Sequence, residues 1–177
     1  MQKLIVVTAI GLLSTAFVVL STNWNIDPNY SIKFSGKKAE GTFSGLSGVI
    51  NFEQNKLQGA KIDVSIDANT IKTGNSTKDS HAKGESWFDV AKYPSIKFES
   101  TAIAKSSDGY LATGNLTLHG VSKTVAIPFQ FTEQNGKGSF VGSFKVKRKD
   151  YNIRGNSFGF LVGDDFDLTL NVPVTKK

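Results

Sequence analysis

The chain has 177 residues, 13 of them phenylalanine, no cysteine and a net charge of +6, which suits one domain with a core of its own. The lack of cysteine excludes a disulfide framework, a lipid-anchoring cysteine and thiol chemistry, so stability must come from packing. The basic surplus is mostly scattered lysine, with one cluster at Lys145, Lys147, Arg148 and Lys149. That pattern argues against nucleic acid and is compatible with brief contact with an anionic membrane surface or a phosphate headgroup.

Residues 1–21 read as a secretory signal peptide. Lys3 precedes Leu4–Leu20, LIVVTAIGLLSTAFVVL, an uncharged apolar run. An uncleaved anchor is the rival, because the run sits at the short end of a membrane span. The expected mature domain is therefore residues 22–177, exported from the cytoplasm.

Trp24–Pro28 opens that domain. Ser31–Ser35 alternates Ile32 and Phe34 with polar neighbours and predicts a short strand. Gly41–Phe52, with three glycines, predicts a longer one, with Leu46, Gly48, Ile50 and Phe52 facing inward. Lys61–Asp67 is strict alternation, with Ile62, Val64 and Ile66 on one face. The connection Ala68–Pro94 interrupts the strands. In it Ser76 is expected to cap a helix over Thr77–Lys83, with Gly84 following its last turn. Asp79 suits the helix N-terminus, and Trp87 and Phe88 form a bulky apolar pair. Strands resume at Ser95–Ile103, then Tyr110–Leu118, Thr124–Phe131, Ser139–Lys147 and Asp165–Val174, with turns at His119-Gly120 and Asn135-Gly136.

About eight antiparallel strands with one apolar face close into a barrel or stack as a sandwich. Inward rows that mix phenylalanine with glycine leave room for a ligand, or form an ordinary core in which glycines ease bending; the residues alone allow both. The two histidines, His81 and His119, lack metal-ligand spacing, so no metal or cofactor is implied. Hydrolytic chemistry is unsupported, since there is no cysteine nucleophile and the acidic residues alternate on outer strand faces. Arg154 could meet a phosphate or carbonyl headgroup at a barrel mouth.

Four stretches carry a resemblance: Trp24–Ser31 (WNIDPNYS), Lys78–Ser100 with WFDV and YPSIKFES, Asn115–Lys123 (NLTLHGVSK), and the closing strand before Val172-Pro173-Val174. In this order and spacing they resemble the YceI-like family of exported, lipocalin-like proteins. The family pattern has histidine where this chain has Tyr30, and often another where it reads Ser35-Gly36-Lys37-Lys38. The resemblance implies an extended eight-stranded antiparallel barrel, with a short helix in the Ala68–Pro94 connection. It also implies a non-enzymatic protein that binds or carries a polyisoprenoid, isoprenoid quinone or other long-chain lipid. The alternative is a stress-related structural or interaction protein with a filled core.

The expected ligand-binding residues are Phe34, Leu46, Ile62, Val64, Ile66, Trp87, Phe88, Phe98, Leu116, Leu118, Phe129, Phe131, Phe140, Gly142, Phe144, Arg154, Phe166 and Leu168. Trp87 and Phe88 make the Ala68–Pro94 segment a lid. The oligomeric state stays open, a homodimer included.

Overall fold

The structure, a computed structural model, describes residues 22–155 and 159–177. The expected signal segment, 1–21, lies outside the described residues. Among the described residues ten strands appear in chain order. They are β1 (Asn23–Ile26), β2 (Ser31–Gly36), β3 (Ala39–Phe43), β4 (Ser47–Asn51), β5 (Lys61–Asp67), β6 (Ser95–Ser106), β7 (Gly109–Leu118), β8 (Val121–Gln134), β9 (Lys137–Lys147) and β10 (Asp165–Lys176). One helix, α1 (Ser76–Lys83), lies between β5 and β6.

Every pairing between these strands is antiparallel. From β4 the ladder runs through β5 to β10, and β1 pairs with both β4 and β10, so the sheet closes on itself as an eight-stranded barrel. The two extra strands arise because two staves are broken. Strands β1 and β2 both pair with β10, at Val174–Lys176 and Phe166–Asn171 respectively, and serve as one stave. Strands β3 and β4 are the other.

The expected single strand Gly41–Phe52 is thus two, broken at residues 44–46. Gly45 takes a left-handed φ of 71° there. The break is held by side chains distant in sequence: Leu46 N donates to the Tyr30 hydroxyl at 2.9 Å, and Ser44 N to Thr70 Oγ1 at 2.9 Å. Beyond it, Gly48 stands opposite the inward-facing Val64, as the alternation implied, yet does not line the cavity. It is exposed, its φ is 141°, and a Cβ there would run into the backbone carbonyl of Asp63. Its glycine serves close approach of β5 rather than interior volume.

Elsewhere the pattern reads straight into structure. Lys61–Asp67 is β5. His119-Gly120 and Asn135-Gly136 both have positive φ at both residues, as a two-residue hairpin turn of this hand requires. The helix begins one residue earlier than expected. Asn75 rather than Ser76 caps it, its side chain accepting from Lys78 N, and Gly84 ends it in an extended rather than left-handed conformation.

Alternation decides what fills the barrel, because successive side chains point to opposite faces. One end is closed by a knot of aromatic rings centred on Phe52, which is fully buried. Its ring meets Tyr110, Phe129, Phe131 and Phe140 edge-on, with centroids 4.9, 5.6, 5.0 and 5.4 Å away. Trp24 joins them, 5.3 Å from Phe131, and its indole N–H donates to the Phe52 carbonyl at 2.9 Å. This is the floor.

A one-ended apolar cavity with a basic rim

Above the floor lies a cavity of about 1130 Å³. Its wall is built from the inward rows of most staves: Ile32 and Phe34 on β2, Ile62, Val64 and Ile66 on β5, Ile96 and Phe98 on β6, Leu116 and Leu118 on β7, Ile127 and Phe129 on β8, and Phe166 to Val172 at even positions on β10. On β9 the row runs Phe140, Gly142, Phe144, Val146 and then Arg148 just past the strand. Those eight residue steps measure roughly 26 Å along the strand, or about 20 Å along the axis of a barrel whose strands tilt by about 40°.

The mouth lies where the long connections gather. It is bordered by the β2–β3 turn with Lys38, by Lys78, His81 and Ala82 of α1, by Trp87 and Phe88, and by Leu161 and Val162 of the β9–β10 loop. Backbone hydrogen bonds stitch these loops together: Gly155 N to Ser86 O at 2.8 Å, and Gly163 N to Lys37 O at 3.0 Å. Phe88 packs edge-on against Phe43, with centroids 5.6 Å apart. The Ala68–Pro94 segment therefore covers part of the mouth.

Among the described residues two charged side chains are buried, and both organise this end. Arg148 donates to the carbonyls of Ile153, Gly159, Val162 and Gly163 at 2.8 to 3.1 Å. It also pairs with Asp164 at 3.1 Å and lies 5.4 Å from the Trp87 ring. The guanidinium's fan of donors thus sets the β9–β10 loop. A hydrogen bond from Lys149, with Arg148 and Lys147 nearby, holds the Asp164 carboxyl below the usual range.

Asp79 does more than favour a helix N-terminus. It accepts from Thr73 N at 2.7 Å and from the Thr73 hydroxyl at 2.8 Å, and lies 3.4 Å from Lys72 Nζ. Residue 72 in turn bridges to Thr42 on β3. Asp79 is thus the tether between α1 and the barrel wall. The Thr73 hydrogen bonds first, and Lys72 after them, depress its pKa. A carboxylate so depressed stabilises the native state fully above its unfolded pKa of about 3.9 and loses that contribution as pH falls through the lower native value. Amide exchange of α1 is therefore expected to be unchanged from neutral pH down to about pH 5 and to quicken below about pH 4, relative to β9. Asp79→Ala is expected to show the quickened exchange already at pH 7 and to lose the acid transition, read by hydrogen exchange with mass spectrometry.

The model of the YceI-like domain matches residues 24–174, nearly the whole described barrel. The chain belongs to the YceI-like family. Among YceI-like relatives, a UPF0312 protein of Yersinia pestis (strain Pestoides F) is 35% identical over 119 residues, 64% of this chain; the chain spans only 62% of that protein's length. A UPF0312 protein of Pectobacterium atrosepticum is 29% identical over 166 residues, 86% of each. Among solved structures, BcnA of Burkholderia cenocepacia superposes with a TM-score of 0.79 at 25% identity, over 85% of this chain and all of its own. A Campylobacter jejuni YceI protein superposes at 0.69 with 29% identity, over 81% and 86%. A polyisoprenoid binding domain of Saccharophagus degradans, implicated in plant cell wall breakdown, shares the fold at 0.62 with 15% identity, over 89% and 98%.

Set against the sequence-based expectations, this YceI-like barrel brings sixteen of the eighteen residues to one cavity wall. They are Phe34, Leu46, Ile62, Val64, Ile66, Trp87, Phe88, Phe98, Leu116, Leu118, Phe129, Phe140, Gly142, Phe144, Phe166 and Leu168. Phe131 instead packs in the floor, against Trp24, Phe52 and Phe140. Arg154 is exposed and off the wall; Arg148 holds the inward position, as continuing the β9 alternation past Val146 would have indicated. Gly142 lines the cavity, yet a Cβ on it would lie 2.7 Å from Pro128 O and 3.3 Å from Phe129 Cβ, so its glycine also admits the backbone of β8. His119 Nδ1 lies 3.1 Å from Tyr151 O and its ring packs on Tyr93, while His81 borders the mouth.

One motif escaped the sequence reading. Gly155–Gly159 spells the Gly-x-Ser-x-Gly spacing of a hydrolase nucleophile. Ser157 lies outside the described residues. Its described ends, Gly155 and Gly159, lie between β9 and β10, which pair antiparallel, whereas a nucleophile elbow joins a strand to a helix.

Proposed function

We propose that this protein binds one long apolar lipid, a polyisoprenoid or isoprenoid quinone, inside the barrel, and sequesters or carries it through the periplasm. The observation that carries the reading is the apolar tunnel, about 20 Å deep, plugged at one end and open at the other. Protein interiors pack to a density of about 0.74–0.76, and a filled structural core would not leave about 1130 Å³. Each buried CH₂ contributes about 0.8 kcal/mol, so a chain of isoprene units gains affinity from burial with few polar contacts. The protein acts by shielding rather than by chemistry: the ligand enters and leaves unchanged, loaded in brief contact with a membrane surface. The fold shared with a polyisoprenoid binding domain is consistent with that ligand class.

The test is organic extraction of the full chain purified from its native envelope, with mass spectrometry of the extract. A co-purifying isoprenoid near one per protein is expected. Protein that yields none, and also takes up no added polyprenol, overturns the reading.

A further inference from the structure

A chain buried in a one-ended tunnel leaves its polar end at the mouth, so the rim decides which headgroups are accepted. Resting on the lipid-container reading, we propose that this rim selects lipids whose polar end is an anion, a phosphate monoester or a carboxylate, held by Lys38 and Lys78 with His81 beside them. Lys38 stands at the tip of the β2–β3 turn with φ 65°, which places it on the mouth side of the wall. Lys78, His81 and Ala82 are at i, i+3 and i+4 of α1 and so share one face, the face that lines the cavity.

Both lysines are exposed, and among the described residues neither nitrogen lies within ion-pair distance of a carboxylate. Arg148 is different: it is spent on loop carbonyls and on Asp164 and supplies no spare charge to a ligand. Glu40 is the acid on the same wall, against two lysines. The local field at the mouth is thus positive, directly above an apolar shaft, and fits an anionic amphiphile better than a neutral one.

Exposed ion pairs are each worth up to a factor of about five, so two lysines set a preference of about tenfold, and salt screens it. The probes are geranylgeranyl phosphate and geranylgeraniol, which share a chain and differ in the head, titrated into the purified protein and followed by tryptophan fluorescence. At an ionic strength of about 0.01 M the phosphate is expected to bind about tenfold more tightly. In Lys38→Gln/Lys78→Gln that advantage is expected to fall below about twofold, with affinity for the alcohol unchanged. Equal binding of the two lipids by the wild type, or a preference that survives both the double substitution and high salt, overturns the proposal while the container reading stands. Failure of both lipids to bind overturns the container reading and this proposal with it. If inorganic phosphate alone, at the same concentration, abolishes the advantage, the rim is a free-anion site and the proposal is overturned.

Discussion

Phe52→Ala is expected to lower the free energy of unfolding by about 3–5 kcal/mol. Phe52 is fully buried, and four rings from β7, β8 and β9 press on it edge-on. Those rings are fixed in a closed ladder, so they cannot collapse into the space that truncation leaves, and the cavity penalty adds to the lost transfer energy. Edge-to-face pairs contribute a further increment beyond area burial. A urea titration should show a lower midpoint with an unchanged slope. Phe144→Ala is the internal comparison. Phe144 is only half-buried and part of its surface faces the cavity, so its truncation should cost clearly less. Equal losses at the two positions would mean that the Phe52 rings do not form a rigid plug.

Val64→Trp/Leu168→Trp is expected to weaken binding of a C20 polyprenol by at least about 100-fold, or about 2.7 kcal/mol, while the barrel keeps its fold. Both residues point inward yet remain partly exposed, and that surface faces the cavity. In the ring, β5 stands opposite β9 and β10 opposite β6, so the two indoles enter from different sides and meet in the shaft. Each indole presents roughly 150–250 Å² of side-chain surface, well beyond that of the residue it replaces, where a chain would lie. Overpacking a filled core would cost about 1–3 kcal/mol, but here the space exists. Gly142 is a poorer place for this test, since any side chain there meets Pro128 O before it reaches the cavity. A double variant with an unchanged circular dichroism spectrum that binds the polyprenol normally would show that the chain does not occupy the tunnel.

The barrel was legible because its signal is local. Alternation at Ile62, Val64 and Ile66, and at Phe166, Leu168, Leu170 and Val172, is the physical requirement of a strand with one buried face. The His119-Gly120 and Asn135-Gly136 turns followed from the need for positive φ. What escaped depends on contacts distant in sequence. Gly45 marks a bend locally, but the full break at residues 44–46 is held by Tyr30 and Thr70 from other parts of the chain. Gly48 looked like spare interior volume because alternation gives its face but not the close approach of β5. Which inward phenylalanines pack in the floor and which line the shaft is set by the stagger of closure, so Phe131 could not be told from Phe129 by parity. Arg148 was hidden in a run of lysines whose other members are solvated. Asp79 was read as a helix-terminus charge because its partners, Thr73 and Lys72, precede the helix in a stretch without regular structure.

The most direct test of a chain inside the barrel is an isotope-filtered NMR measurement on protein with labelled valine and leucine methyl groups, mixed with one equivalent of unlabelled polyprenol. Intermolecular NOEs are expected from the ligand to the methyls of Val64, Leu116 and Leu168 on the wall, and none to Val49 or Val141, which are 54% and 44% exposed on the outside. NOEs confined to the outer valines, with the wall methyls unperturbed, would contradict the account.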